Sequence, residues 1–235
     1  MLLTLRSELA RAGSRERAKG AQGYMKTSTP FHGVDASTLR AICKRIFAPH
    51  PLASAAGWRG DVLALFRGAR FREERYAAIE LTGDRRARAF QTMEALPMYE
   101  EMIVAGAWWD LVDALATKRL GELLRREPVE MRKAMRAWSR SPDLWKRRSA
   151  ILCQNSFKKD TDVAFLYACI EPSIASKEFF LRKAIGWALR SYAWTDPREV
   201  ARYVKANEKR LSALSRREAL KNAVPRGARA NILRP

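Results

Sequence analysis

Apolar residues recur along the chain at spacings of three and four, and β-branched runs are few, so the pattern predicts helices almost throughout. The candidate segments are 2–19, 36–48, 59–68, 71–82, 87–105, 108–124, 127–140, 143–155, 160–170, 178–193, 197–206 and 211–223. Pro97, Pro128, Pro142, Pro172, Pro197 and Pro225 fall near their starts or stops, where a fixed φ and a missing N–H are tolerated. Asp35 or Ser37, Ser141 and Asp196 are placed to cap helix N-termini. Many short helices with short connections predict an all-α fold of stacked helix pairs. The expected form is an α-solenoid of roughly six helical repeats with a concave face, in a single domain spanning 1–235. No clean sequence repeat is present, and the short basic tail after Pro225 is expected to fray.

Charge sharpens that picture. The chain carries 45 Lys+Arg against 25 Asp+Glu, a net charge of +20. So large an excess points to an anionic partner, nucleic acid or an acidic membrane surface, and makes the predicted concavity a basic groove suited to a duplex. No apolar run approaches the ~20 residues of a membrane span. Arg6 and Glu8 interrupt the N-terminal segment where a signal peptide would be apolar, so a cytoplasmic protein is expected. Cys43, Cys153 and Cys169 form no CxxC pair, and neither His32 nor His50 has metal-ligand spacing. GxxxxGK[ST], GxGxxG and GxSxG are absent. No cofactor or metal is expected, and a monomer is.

Three segments carry candidate chemistry. In 108-WWDLVD-113, helical phase puts Trp108, Leu111, Val112 and Leu115 on a core stripe, with Trp109 and Asp113, at i and i+4, on its shoulder. Trp109 suits core packing or a site. Asp113 has no cation among its helical neighbours Trp109, Asp110, Ala116 and Thr117, which weakens a surface ion pair as its role. In 143-DLWKRRSAILCQN, Arg148 falls in the apolar sector set by Leu144, Ile151 and Leu152. A buried arginine needs an anion, either a carboxylate on a neighbouring helix or a phosphate. In 178-EFFLRKAIGWALRSYAW, Lys183, Trp187 and Arg190 share one sector. They suit either a buried indole with solvated flanking charges or a nucleic-acid surface.

At these residues the chain resembles the AlkD family of DNA glycosylases, alkylation-repair enzymes built from HEAT-like helical repeats. The resemblance runs nearly end to end through 24-YMKTSTPFHGV-34, 73-EERYAAIEL-81, 108-WWDLVD-113, 144-LWKRRSAIL-152 and 177-KEFFLRKAIGWALRSY-192. It implies that Trp109, Asp113 and Trp187 are the active-site trio. It also implies that Arg148 lies near the lesion phosphates and Tyr24 near the groove; Lys183 and Arg190, from their spacing around Trp187, are expected as further DNA contacts. His32 departs from the pattern, standing where an apolar residue is expected; Asp35 and Ala36, which follow, bear on contacts to the strand opposite the lesion. The implied activity is hydrolysis of the N-glycosidic bond of cationic N3- or N7-alkylated purines in duplex DNA, without base flipping. A non-enzymatic helical-repeat DNA binder, a protein–protein scaffold and a specialist for bulky adducts are the competing readings.

Overall fold

The computed structural model describes residues 1–222. Among these, fourteen α-helices and several shorter helical turns occur, and no strand. The chain divides into two compact units, residues 1–98 and residues 99 onward. The first contains α1 (Leu2–Ala12), α2 (Arg15–Met25), α3 (Ala36–Phe47), α4 (Ala55–Arg67) and α5 (Arg72–Thr82), and α6 (Leu96–Gly106) begins at its end. The second contains α7 (Trp109–Ala114), α8 (Gly121–Arg126), α9 (Pro128–Trp138), α10 (Leu144–Leu152), α11 (Val163–Ile170), α12 (Phe179–Tyr192), α13 (Pro197–Ala206) and α14 (Ala213–Ala219). Within each unit neighbouring helices pack in pairs, α4 with α5 and α10 with α12 among them, as helical repeats require. The basic tail after Pro225 lies outside the described residues.

Several boundaries differ from the periodic reading, each for a local reason. The segment 2–19 is two helices. The chain breaks at Gly13, where a side chain would run into the His32 carbonyl. Ser14 then caps α2 by accepting from Arg17 N. The segment 87–105 opens with two 3₁₀ turns, Arg85–Phe90 and Met93–Ala95, before α6. The segment 108–124 is not one α-helix: a π-helical turn, Leu115–Leu120, separates α7 from α8. Asp35 and Asp196 cap as expected, accepting from Ser37 N and Thr38 N and from Glu199 N. At α10 the cap is Asp143, not Ser141; Asp143 accepts from Trp145 N and Lys146 N.

In the first unit, Leu5, Leu9, Trp58, Val62, Leu65, Ala77 and Leu81 form a closed apolar core. The buried indole N–H of Trp58 is satisfied by the Leu81 carbonyl at 3.2 Å. Two buried glutamates at the start of α5 do something else. Glu73 accepts from the backbone N–H groups of His32 at 2.9 Å, Gly33 at 2.8 Å and Val34 at 3.2 Å. Glu74 accepts from Arg6 Nε at 2.8 Å and from Arg70 N at 2.8 Å, and its Oε1 lies 3.2 Å from His32 Nε2. Burial opposes ionisation of Glu74, but the bonds from Arg6, Arg70 and His32 hold its carboxyl below the usual range. His32 also stacks on Phe71, with centroids 3.9 Å apart. Thus the 24–34 and 73–74 motifs are two halves of one clamp, and the histidine that departs from the family pattern is bound into it.

Gly33 sits at φ +80°, and an added Cβ would fall on the carbonyl oxygen of Ser14. Gly33→Ala is therefore expected to destabilise the protein by about 2–4 kcal/mol. Denaturant unfolding checks this; a midpoint unchanged from the native protein would show the clamp to be dispensable.

Candidate active site

The second unit assembles its chemistry on three helices. α7 is short and begins after a strained approach, with Ala107 at φ +37° and Trp108 extended. Trp108 is thus not part of the helical stripe its spacing suggested. Its ring turns edge-on to Phe180 at 5.4 Å and lies 6.2 Å from Trp145, and Trp145 and Phe180 approach to 4.9 Å. This aromatic cluster joins the starts of α7, α10 and α12. Leu111, Val112 and Leu115 are buried, as the stripe required. Trp109 and Asp113 follow one helical turn apart, both partly buried.

Asp113 faces Arg148 of α10. Nε of Arg148 donates to Oδ1 at 2.7 Å and Nη2 donates to Oδ2 at 2.7 Å, a two-pronged pair. The side chains are 14% and 5% exposed respectively, so water does little to screen them. A third donor, Nη1, bonds the Phe180 carbonyl in the first turn of α12. Arg148 therefore ties α7 to α12 through α10. Of the two anions the sequence allowed for this arginine, the carboxylate on a neighbouring helix is the one it meets here.

Burial pushes the Asp113 carboxyl above its usual range, and the negative charge of Asp110 adds to the effect. The hydrogen bonds and charge of Arg148 offset it only in part. Asp113 is thus a carboxylate whose ionised form is costly and would gain from a nearby positive charge. The π-helical turn begins two residues later, and Thr117 Oγ1 bonds the Asp113 carbonyl at 2.8 Å.

Trp187 lies on α12, partly buried against the apolar core of Leu181, Ile185, Leu189 and their neighbours. Lys183 and Arg190 flank it, one turn to either side, and both reach Glu218 of α14. Glu218 carries no signal in its own segment, so the sequence reading missed it. Tyr24, in the first unit, is 75% exposed at the end of α2.

Cys43, Cys153 and Cys169 are all buried. Burial pushes the thiols of Cys43 and Cys169 up to about 12, which leaves them inert as nucleophiles. No cluster of three or more metal-ligating side chains occurs among the described residues. Nor is any described helix long and apolar enough to cross a membrane.

A family model described as DNA alkylation repair enzyme matches residues 5–223. The chain is also similar to a solved structure described as a predicted DNA alkylation repair enzyme from Enterococcus faecalis. The two are 28% identical, and the match covers 89% of this chain and 95% of that one with a TM-score of 0.80. No curated protein matches the sequence.

Removing Arg148 leaves Asp113 buried without its counter-ion. Arg148→Ala is expected to cost about 3–5 kcal/mol at neutral pH. The deficit should shrink in acid. With its carboxyl raised further, the folded variant binds a proton that the unfolded chain does not, so stability falls as pH rises through that window. Unfolding midpoints of native and variant protein at pH 7 and pH 5 check this; a gap that stays constant or widens in acid would refute it.

Proposed function

The chain belongs to the family of DNA alkylation repair enzymes, and from that premise we propose that it is a monofunctional glycosylase. It hydrolyses the N-glycosidic bond of purines made cationic by alkylation at N3 or N7, within duplex DNA. The observation that carries this reading is the desolvated Asp113 carboxylate, held by Arg148 beside Trp109, in a chain with a net charge of +20.

The chemistry follows from the substrate. An N3- or N7-alkylated purine already bears positive charge, so as the C1′–N bond breaks the base takes the bonding electron pair and leaves neutral. No acid is needed to protonate it. Positive charge then grows on the deoxyribose, as in glycoside cleavage generally. Asp113 stabilises that charge from a desolvated position, where attraction to a neighbouring cation is stronger than in water. The indoles of Trp109 and Trp187 add attraction of their π faces for the same developing cation. Water, oriented by the Asp113 carboxylate, attacks C1′ and passes its proton to that carboxylate and from there to solvent.

Arg148 has a double role in this scheme. It keeps Asp113 ionised, and from its buried position it acts on the phosphates at the lesion through its charge. Lys183, Arg190 and Tyr24 contribute further contacts to the DNA backbone. Because the carboxylate acts on the sugar rather than on the base, the lesion can stay stacked, and bulky cationic adducts fall within reach. Neutral lesions such as uracil leave poorly without an acid.

The test is release of free base from duplex DNA carrying N7-methylguanine or N3-methyladenine, with Asp113→Asn alongside. The native protein should release base, and the variant should lose about 10²–10³-fold in kcat. Its rate should also fall in acid at a pH above the ordinary carboxylate range, because Asp113 must be ionised to act and its carboxyl is raised. Salt-sensitive duplex binding without base release from any cationic lesion would instead identify a DNA-binding protein.

A further inference from the structure

α12 and α14 approach with almost nothing between them. A Cβ on Gly186 would meet the Ser215 carbonyl at 3.1 Å and collide with the Glu218 side chain. The buried Ser215 hydroxyl bonds the Arg182 carbonyl at 3.0 Å, which fixes the register of the two helices. One turn further along α14, Glu218 is 5% exposed. Its Oε1 meets Lys183 Nζ at 3.3 Å and Lys221 Nζ at 2.7 Å, while Oε2 accepts from Arg190 Nη1. Burial opposes ionisation of this carboxyl, but the contacts from Lys221 and Lys183 hold it below its usual range.

Three cations thus share one buried anion, and two of them stand on either side of Trp187. The close packing of the helices involves Gly186, Ser215 and the stem of the Glu218 side chain, not its carboxylate. The ring of cations needs a different account. Unrestrained Lys and Arg side chains on a DNA-binding face must be ordered when DNA arrives, and that ordering opposes binding. A buried carboxylate orders them beforehand. It also subtracts one charge from the face, which weakens attachment to any phosphate backbone.

We propose that Glu218 is a positioning residue of the DNA site: it holds Lys183 and Arg190 ready around Trp187 for the backbone at the lesion, and it restrains binding to undamaged duplex. The role rests on the glycosylase reading, but it can be examined separately from it. Glu218 touches neither the sugar nor the base, and it acts through the two cations.

Glu218→Gln keeps the shape of the side chain and removes its charge. Binding of undamaged duplex should become tighter at low salt, with the slope of log affinity against log salt steeper by about one. At the same time kcat for base release should fall about tenfold at a temperature where the melting curve shows the variant fully folded. Ser215→Ala supplies the contrast, since it loosens the same helix contact without changing charge; it should leave both slope and kcat near native. An unchanged slope in Glu218→Gln overturns the proposal, and so does an unchanged kcat in an active protein. A Ser215→Ala variant that loses kcat to the same extent would show that helix packing alone is responsible. If the native protein releases no base, the glycosylase reading fails, while the salt slope still decides whether Glu218 governs the DNA-binding face.

Discussion

The second unit depends on one buried ion pair. Taking a carboxylate and a guanidinium out of water costs several kcal/mol per ion before any attraction is counted. Asp113 and Arg148 offset part of that cost through two parallel 2.7 Å hydrogen bonds and a third bond to the Phe180 carbonyl. The third bond gives the pair its architectural reach, because it spans α7, α10 and α12. The aromatic cluster of Trp108, Trp145 and Phe180 closes over the same junction. An apolar replacement of similar volume would pack as well. It would not leave a carboxylate that is ionised yet under-solvated, the property that makes the site responsive to positive charge.

The first unit solves a different problem with the same kind of group. The segment leading into α3 is irregular backbone whose N–H groups cannot be satisfied by a helix. Glu73 accepts three of them, and Glu74 binds Arg6 and Arg70 N beside His32. Each buried charge has its own compensation, three backbone N–H groups for Glu73 and Arg6 with Arg70 N for Glu74. As built, the pair turns a loop into a rigid element with the left-handed Gly33 at its tightest point. His32 then reads as a member of this network, although its sequence position suggested an apolar residue.

How much of this was legible in the sequence follows the range of the forces involved. Helical phase alone placed Trp109 and Asp113 together and put Arg148 among apolar neighbours, because both depend on residues three or four apart. Caps at Asp35 and Asp196 were legible for the same reason. The break at Gly13 was not, since it answers to the His32 carbonyl nineteen residues away. The π-helical turn at Leu115–Leu120 has no composition of its own, and Trp108 leaves the helix to meet Phe180, seventy-two residues later. The partner of Asp113 lay outside its own helix, so the lack of a local cation was a correct observation that pointed to a tertiary contact. The family resemblance supplied the remaining step from residues to activity, which spacing could not.

The distribution of acids bears on how so basic a chain would discriminate under the proposed activity. An excess of lysine and arginine attracts any phosphate backbone, with little regard to sequence or damage. Discrimination must come from the groups that oppose that attraction at chosen points. Glu73, Glu74 and Glu218 are buried, and Asp113 is nearly so. Each is held by cations or backbone N–H groups that fix its position to within a hydrogen bond. Glu73 holds backbone, Glu74 holds Arg6 and one backbone N–H, Glu218 holds cations, and of these four Asp113 alone combines a counter-ion with a carboxyl raised above its usual range. Under the proposed activity, a cation that develops transiently on a sugar would gain most beside a carboxylate that water does not already stabilise, and Asp113 is such a carboxylate.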